Sequence, residues 1–214
     1  MAGQAGATRV PSGAIALLAS AIRYALGACA QVAPGEMALP TPCQEWDLAA
    51  LLAHLAASMA DVESAIRTGC LDLDPVDPSV PGLRKGPLPG NPVEVLQDRA
   101  ANLLVACYDH HGPERLVLVG GLPLAAGIIA CTGAVEIAVH GWDVSAARCR
   151  GAPIPPGLAT RMLGLCPLLV TSRAGLFAPP VEAPPQASPG DRLVAYLGRV
   201  PTSPERPAAP DRQP

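Results

Sequence analysis

Aromatic residues make up only 3% of this 214-residue chain: two Trp, three Tyr and one Phe. All-β sandwiches draw heavily on aromatic side chains, so their scarcity argues against one. Charged residues are equally thin at 15%, while half the residues are hydrophobic. The core must therefore be built from Ala, Leu, Val and Ile, which suits closely packed helices. Lysine is nearly missing, with Lys85 alone against 14 arginines. A net charge of −3 supplies no bulk attraction to nucleic acid or anionic lipid, and neither is an expected partner. The seven cysteines, at 29, 43, 70, 107, 131, 149 and 166, include no C-x-x-C pair. That excludes a zinc ribbon and a disulfide framework, and predicts buried, reduced thiols in a cytoplasmic protein. Met1 to Pro11 lacks the basic start and apolar run of a signal peptide.

What is present is helical periodicity. Leu18, Ile22, Leu26 and Cys29 form one stripe of a helix over 13–32. Asp47 is placed to cap a second helix that Gly69 ends, with Leu48, Leu51, Leu52, Leu55, Met59, Val62 and Ile66 as its apolar face. Asn91-Pro92-Val93-Glu94 predicts the start of a third, running to about His111, with Glu94 reaching back to the cap amide. The charge-free run Leu116–Val135 is long enough to span a bilayer, at ~20 residues. Gly120-Gly121 and Pro123 break it, and it leads straight into Glu136 and His140, both costly in lipid. It reads as an extended entry over 116–119, a turn, then a buried fourth helix from about Pro123 to Arg150. Shorter helices are expected over 156–165 and after Ser188-Pro189. These elements predict an all-α four-helix bundle with a short C-terminal helical extension over 12–200. Residues 1–11 and 201–214 are expected to be loose tails. The Pro-rich linker 71–90, which carries Arg84-Lys85, is either part of a substrate mouth or plain surface.

Glu136 and His140 are four apart, so one helix presents both on one face. Such a pair can hold a divalent ion or form an ordinary ion pair. A carboxylate that follows a charge-free run must be paired or metal-bound, which favours the ion. His54, set in the apolar second helix, is the best third ligand from another element. His110 and His111 close the third helix, where the dipole alone explains them. Asp143, one turn beyond His140, either fixes the tautomer of a ligand imidazole or makes a simple polar contact at the helix end. Trp46 and Trp142 read as packing anchors rather than stacking platforms. Neither Cys43 nor Cys131 has an adjacent base in sequence, so no nucleophilic cysteine is expected.

The segment Pro40-Thr41-Pro42-Cys43-Gln44-Glu45-Trp46-Asp47-Leu48, continuing to Leu51-Leu52-Ala53-His54-Leu55, resembles the first signature of the mycothiol-dependent maleylpyruvate isomerase-like proteins. These belong to the DinB-like metal-dependent bundles. Glu136-Ile137-Ala138-Val139-His140-Gly141-Trp142-Asp143 is similar to their second signature. Phe177-Ala178-Pro179-Pro180-Val181, Asp191-Arg192-Leu193 and Leu197-Gly198-Arg199 are similar to a third. The blocks come in family order, and the resemblance covers roughly residues 12–201. It implies a DinB-like bundle holding Zn²⁺ or another divalent metal on His54, Glu136 and His140, with an open fourth position. It further implies an actinobacterial, cytoplasmic enzyme in which a low-molecular-weight thiol, mycothiol, is held as a thiolate for transfer to an electrophilic small molecule or for its isomerisation. Arg192 and Arg199 match signature positions and so could bind an anionic part of that cofactor, while helix-end packing explains Arg199 equally. The stretch after Gly151 is too short for the additional C-terminal domain of the family's best-known isomerase, so maleylpyruvate is not the expected substrate. The alternatives are a thiol-independent tailoring enzyme of secondary metabolism and a non-catalytic ligand-binding module, acting as monomer or homodimer.

Overall fold

Small side chains let the helices of this chain come close together, and two glycines of the longest helix mark where they do. The computed structural model describes residues 13–43, 46–71, 88–110, 112, 114–170 and 177–201. The expected N-terminal tail, residues 202–214 of the expected C-terminal one, most of the linker, Arg84, Lys85 and His111 lie outside the described residues. Six α-helices follow in order: α1 Ala14–Cys29, α2 Leu48–Thr68, α3 Pro92–Asp109, α4 Ala126–Ala147, α5 Pro156–Leu169 and α6 Pro189–Tyr196. The first four form the bundle. Helix α4 packs most extensively on α1 and also on α2, while α2 packs on α3. A Cβ added at Gly141 of α4 would stand 2.8 Å from the Ala25 Cα of α1, and one at Gly133 would stand 2.7 Å from a Val62 methyl of α2. Leu17, Leu18, Ile22, Leu51, Leu52, Leu55, Met59, Leu96, Leu103 and Ile137 are fully enclosed between the helices.

Local chemistry sets the helix ends. Asp47 accepts a hydrogen bond from the Ala50 N–H at 2.8 Å, and Gly69 closes α2 at φ 74°. Asn91 caps α3 through the Val93 N–H, and Glu94 reaches the Asn91 side-chain amide rather than the expected backbone amide. Ser188 and Asp191 form a reciprocal capping box on α6.

The expectation that α4 begins near Pro123 is corrected. Leu122–Ala125 is a strand, β3, pairing antiparallel with β2, Leu116–Val119. The two-residue Cys70–Leu71, β1, adds to the other side of β2 in parallel. Gly120 and Gly121, at φ 54° and 81°, make the two-residue turn whose twist suits a hairpin. The Leu118 N–H donates to Gly69, on the side of β2 away from β3. Leu118 and its partner Pro123 therefore form a non-hydrogen-bonded pair, and Pro123 turns its donorless nitrogen to the free edge of β3. The candidate span is thus strand, turn, strand and buried helix. Among the described residues one helix, α2, is long and apolar enough to cross a membrane, and half of that stretch is buried inside the bundle.

Beyond α4 the chain folds back over the bundle. The Tyr24 hydroxyl donates to the Ala152 carbonyl at 2.8 Å, and the Ala152 N–H donates to Ser145 Oγ at 2.8 Å. Helix α6 packs on α5 and delivers Arg199 to the site described next. The expectation of uniformly buried thiols is also corrected: Cys70 and Cys149 are exposed and Cys43 is half-buried.

Candidate metal centre

Glu136 and His140 stand one turn apart on α4, and His54 reaches them from the middle of α2. Their donor atoms all lie within 4.8 Å of one another. His140 Nε2 is 3.3 Å from Glu136 Oε2. Zinc bonds of about 2.0–2.2 Å set tetrahedral ligand atoms about 3.4 Å apart, so this pair already has the spacing of two ligands on one ion. Two imidazoles and one carboxylate are a donor set that zinc accepts readily. The residues present therefore fit a divalent metal. The cluster is unevenly covered: the His140 side chain keeps 5% of its surface, whereas Glu136 keeps 23%.

The electrostatics suit this role. Burial, aided by the charge of His140, pulls His54 down to about 4, so its imidazole is neutral near pH 7 with a lone pair free. Burial alone would raise the Glu136 carboxyl, but the hydrogen bond and charge of His140, with His54 and Arg199 behind it, hold it below the ordinary carboxylate value. Burial likewise opposes the charged form of His140. Its hydrogen bonds to Asp143, Cys43 and Glu136 outweigh that and raise it well above the usual imidazole value. In the metal-free protein a proton thus sits between His140 and Glu136, where the ion would lie.

A buried polar chain stands behind His140. The ring Nδ1 is 3.0 Å from Asp143 Oδ2, which leaves Nε2 directed at Glu136. Asp143 is completely buried. Its charge is met by Arg199, whose Nη2 donates to Oδ2 at 3.0 Å and Nε to Oδ1 at 3.3 Å. Asp143 thus stands within hydrogen-bond distance of His140 Nδ1 and is buried rather than exposed at the helix end. Arg199 spends its guanidinium on this carboxylate and on the Leu197 carbonyl. Arg192 is elsewhere: it is exposed and donates to the Pro185 carbonyl at 2.7 Å. The structure does not bring it to the cluster.

Two further residues reach the site from the loop before α2. Cys43 Sγ lies 3.4 Å from Asp143 Oδ2 and 3.4 Å from Arg199 Nη2, so the cysteine without a sequence neighbour does have polar partners in space. The Trp46 ring centre is 4.4 Å from that of His54 and 5.9 Å from that of His140. It packs against the apolar core, as expected of an anchor, and also on the His54 and His140 rings, while Trp142 is buried within that core. The available signal was Thr41 in Pro-Thr-Pro-Cys, a residue type that ties short loops together. Its hydroxyl donates to the Trp46 carbonyl at 2.8 Å and accepts from the Cys43 N–H at 3.2 Å.

The family model of the mycothiol maleylpyruvate isomerase N-terminal domain matches residues 18–145, which include all three ligand positions and Asp143. The chain belongs to this family. Membership in the mycothiol maleylpyruvate isomerase N-terminal domain family agrees with the helical bundle and points to metal-dependent, mycothiol-related chemistry. Two uncharacterized proteins of Mycobacterium tuberculosis, from strains CDC 1551 / Oshkosh and ATCC 25618 / H37Rv, are each 25% identical over 178 residues. The aligned region covers 80% of this chain and 89% of theirs. No solved structure matches significantly.

Proposed function

We propose that this member of the family is a zinc-dependent enzyme that uses a low-molecular-weight thiol, mycothiol, to transfer to or isomerise an electrophilic small molecule. The observation that carries the proposal is the convergence of His54, Glu136 and His140 from two helices on one point, with Glu136 still partly exposed. A divalent ion held there would supply a Lewis acid that keeps a coordinated thiol deprotonated near neutral pH.

The chain's own residues do the rest. His54 offers a neutral imidazole because burial keeps it unprotonated. Glu136 contributes the single ligand charge, so a divalent ion on the triad keeps a net charge of about +1, suited to one thiolate. Asp143 accepts a hydrogen bond from the His140 Nδ1–H and leaves Nε2 free to ligate. Arg199 neutralises Asp143, so that this second carboxylate does not overcharge the site. Trp46 covers the two imidazoles and keeps water from one side of them.

The test is metal analysis of the purified protein, followed by conjugation of mycothiol to a panel of quinones and other electrophiles. One equivalent of zinc, and a rate abolished by chelation and by Glu136→Gln, support the reading. A mycothiol-dependent rate that survives complete metal removal refutes it.

A further inference from the structure

His54 lacks the support that His140 enjoys. The His140 ring is pinned by the Asp143 carboxylate at 3.0 Å, but the polar partner of the His54 ring is Ser58 Oγ, 3.4 Å from Nε2. A hydrogen bond that long aims a ring poorly, and ligand imidazoles need a firm partner to hold their orientation. The close neighbour of that ring is aromatic. Trp46 packs its ring 4.4 Å from the His54 ring at an angle of 47°, and the His54 and His140 rings meet edge to face at 4.8 Å. The indole is itself fixed from both ends of its peptide unit. The Trp46 N–H donates to the Cys43 carbonyl at 2.8 Å, and its carbonyl accepts from Thr41 at 2.8 Å. Asp47 then begins α2, whose side chains lean toward the helix N-terminus, so the His54 side chain leans back toward the indole.

We infer that Trp46 is a positioning residue of the metal centre: its indole does for His54 what the Asp143 carboxylate does for His140. The order runs from the Thr41 clamp to the indole, from the indole to the His54 ring, and from that ring to the point shared with Glu136 and His140. This inference rests on the metal reading above, and its test separates the two.

The experiment compares wild type, Trp46→Phe and Trp46→Leu, with helix content checked by circular dichroism. Zinc affinity is measured by competition with a chromogenic chelator. The orientation of the His54 ring is followed by the upfield ring-current shift of its carbon-bound protons in the metal-free protein. Trp46→Leu is expected to weaken zinc by about tenfold or more, the loss typical when the partner of a ligand is removed. Trp46→Phe, which keeps an aromatic ring, is expected to recover most of that affinity. Zinc binding is also expected to change the tryptophan fluorescence of wild type, and Trp46→Phe, left with the buried Trp142, is expected to lose that response. If Trp46→Leu folds and binds zinc as tightly as wild type, the positioning role is wrong and the metal site stands. If Trp46→Leu fails to fold, Trp46→Phe and the ring shift decide: His54 protons without an indole shift in wild type refute the packing on which the role depends. If wild type itself binds no divalent ion, the metal reading falls and this role with it.

Discussion

His54 and His140, with ring centres 4.8 Å apart, hold protons in opposite ways. Burial lowers His54 to about 4, against about 6.5 in an unfolded chain. Between those values the unfolded state binds more protons, so the His54 contribution to stability is lost as pH falls below about 6.5. His140 is raised, so its contribution is full below about 6.5 and is lost as pH climbs through the raised value. In chelator-treated wild type the two slopes oppose each other. His54→Gln is expected to leave a protein whose melting temperature falls as pH rises from about 6 to 8. His140→Gln is expected to leave one whose melting temperature falls as pH drops from about 6.5 to 5. Parallel slopes in the two variants would contradict this assignment. The proton between His140 and Glu136 must also leave before an ion can enter. Zinc affinity is therefore expected to rise by about tenfold per pH unit below the raised His140 value, read by chelator competition across pH. The grouping of His54, Glu136 and His140 was legible because helical spacing and an apolar setting are local signals. The parts of Cys43 and Trp46 were not, because contacts that join residue 43 to residues 143 and 199 leave no mark on local pattern.

Among the elements, α4 carries the tightest constraints. Gly141 follows a ligand directly and touches α1 backbone, so Gly141→Ala would push two helices apart at the metal site. Overpacking of this kind costs about 1–3 kcal/mol, and zinc affinity is expected to fall together with the melting temperature. Gly121 offers a contrast. A Cβ there meets nothing within 4 Å, so only the backbone at φ 81° resists substitution. Gly121→Ala is expected to cost about 1–2 kcal/mol and to leave zinc binding unchanged, as chemical denaturation and metal titration would show. The caps of α2, α3 and α6 were readable because each rests on neighbouring residues. The start of α4 was not, because Pro123 suits a first helical turn as well as it suits an edge strand. What decided between them was pairing with Leu118 across the Gly-Gly turn, a signal that the dipeptide carried in sequence. The two residues of β1 had no periodicity to read.

For the whole molecule, the chain beyond residue 145, where the family match ends, supplies a charge the centre depends on. The buried Asp143 relies on Arg199 from beyond α6. Removing one partner of such a pair costs about 3–5 kcal/mol, whereas removing both costs less. Arg199→Met is expected to destabilise strongly, and Asp143→Asn in that background to recover part of the loss, read as a double-mutant cycle in denaturant. The bundle and the grouping of His54, Glu136 and His140 were legible from periodicity and motif; this long return was not, since Arg199 stands 56 residues from its partner. The return also has a direction in time. A ribosome releases all four bundle helices before it reaches Arg199, so the nascent bundle closes around a carboxylate whose counter-charge has yet to be made. Until Arg199 emerges, His140 is the cationic group that Asp143 has beside it. The buried carboxylate is therefore balanced only after the segment beyond α6 has been made, later than every helix of the bundle that encloses it.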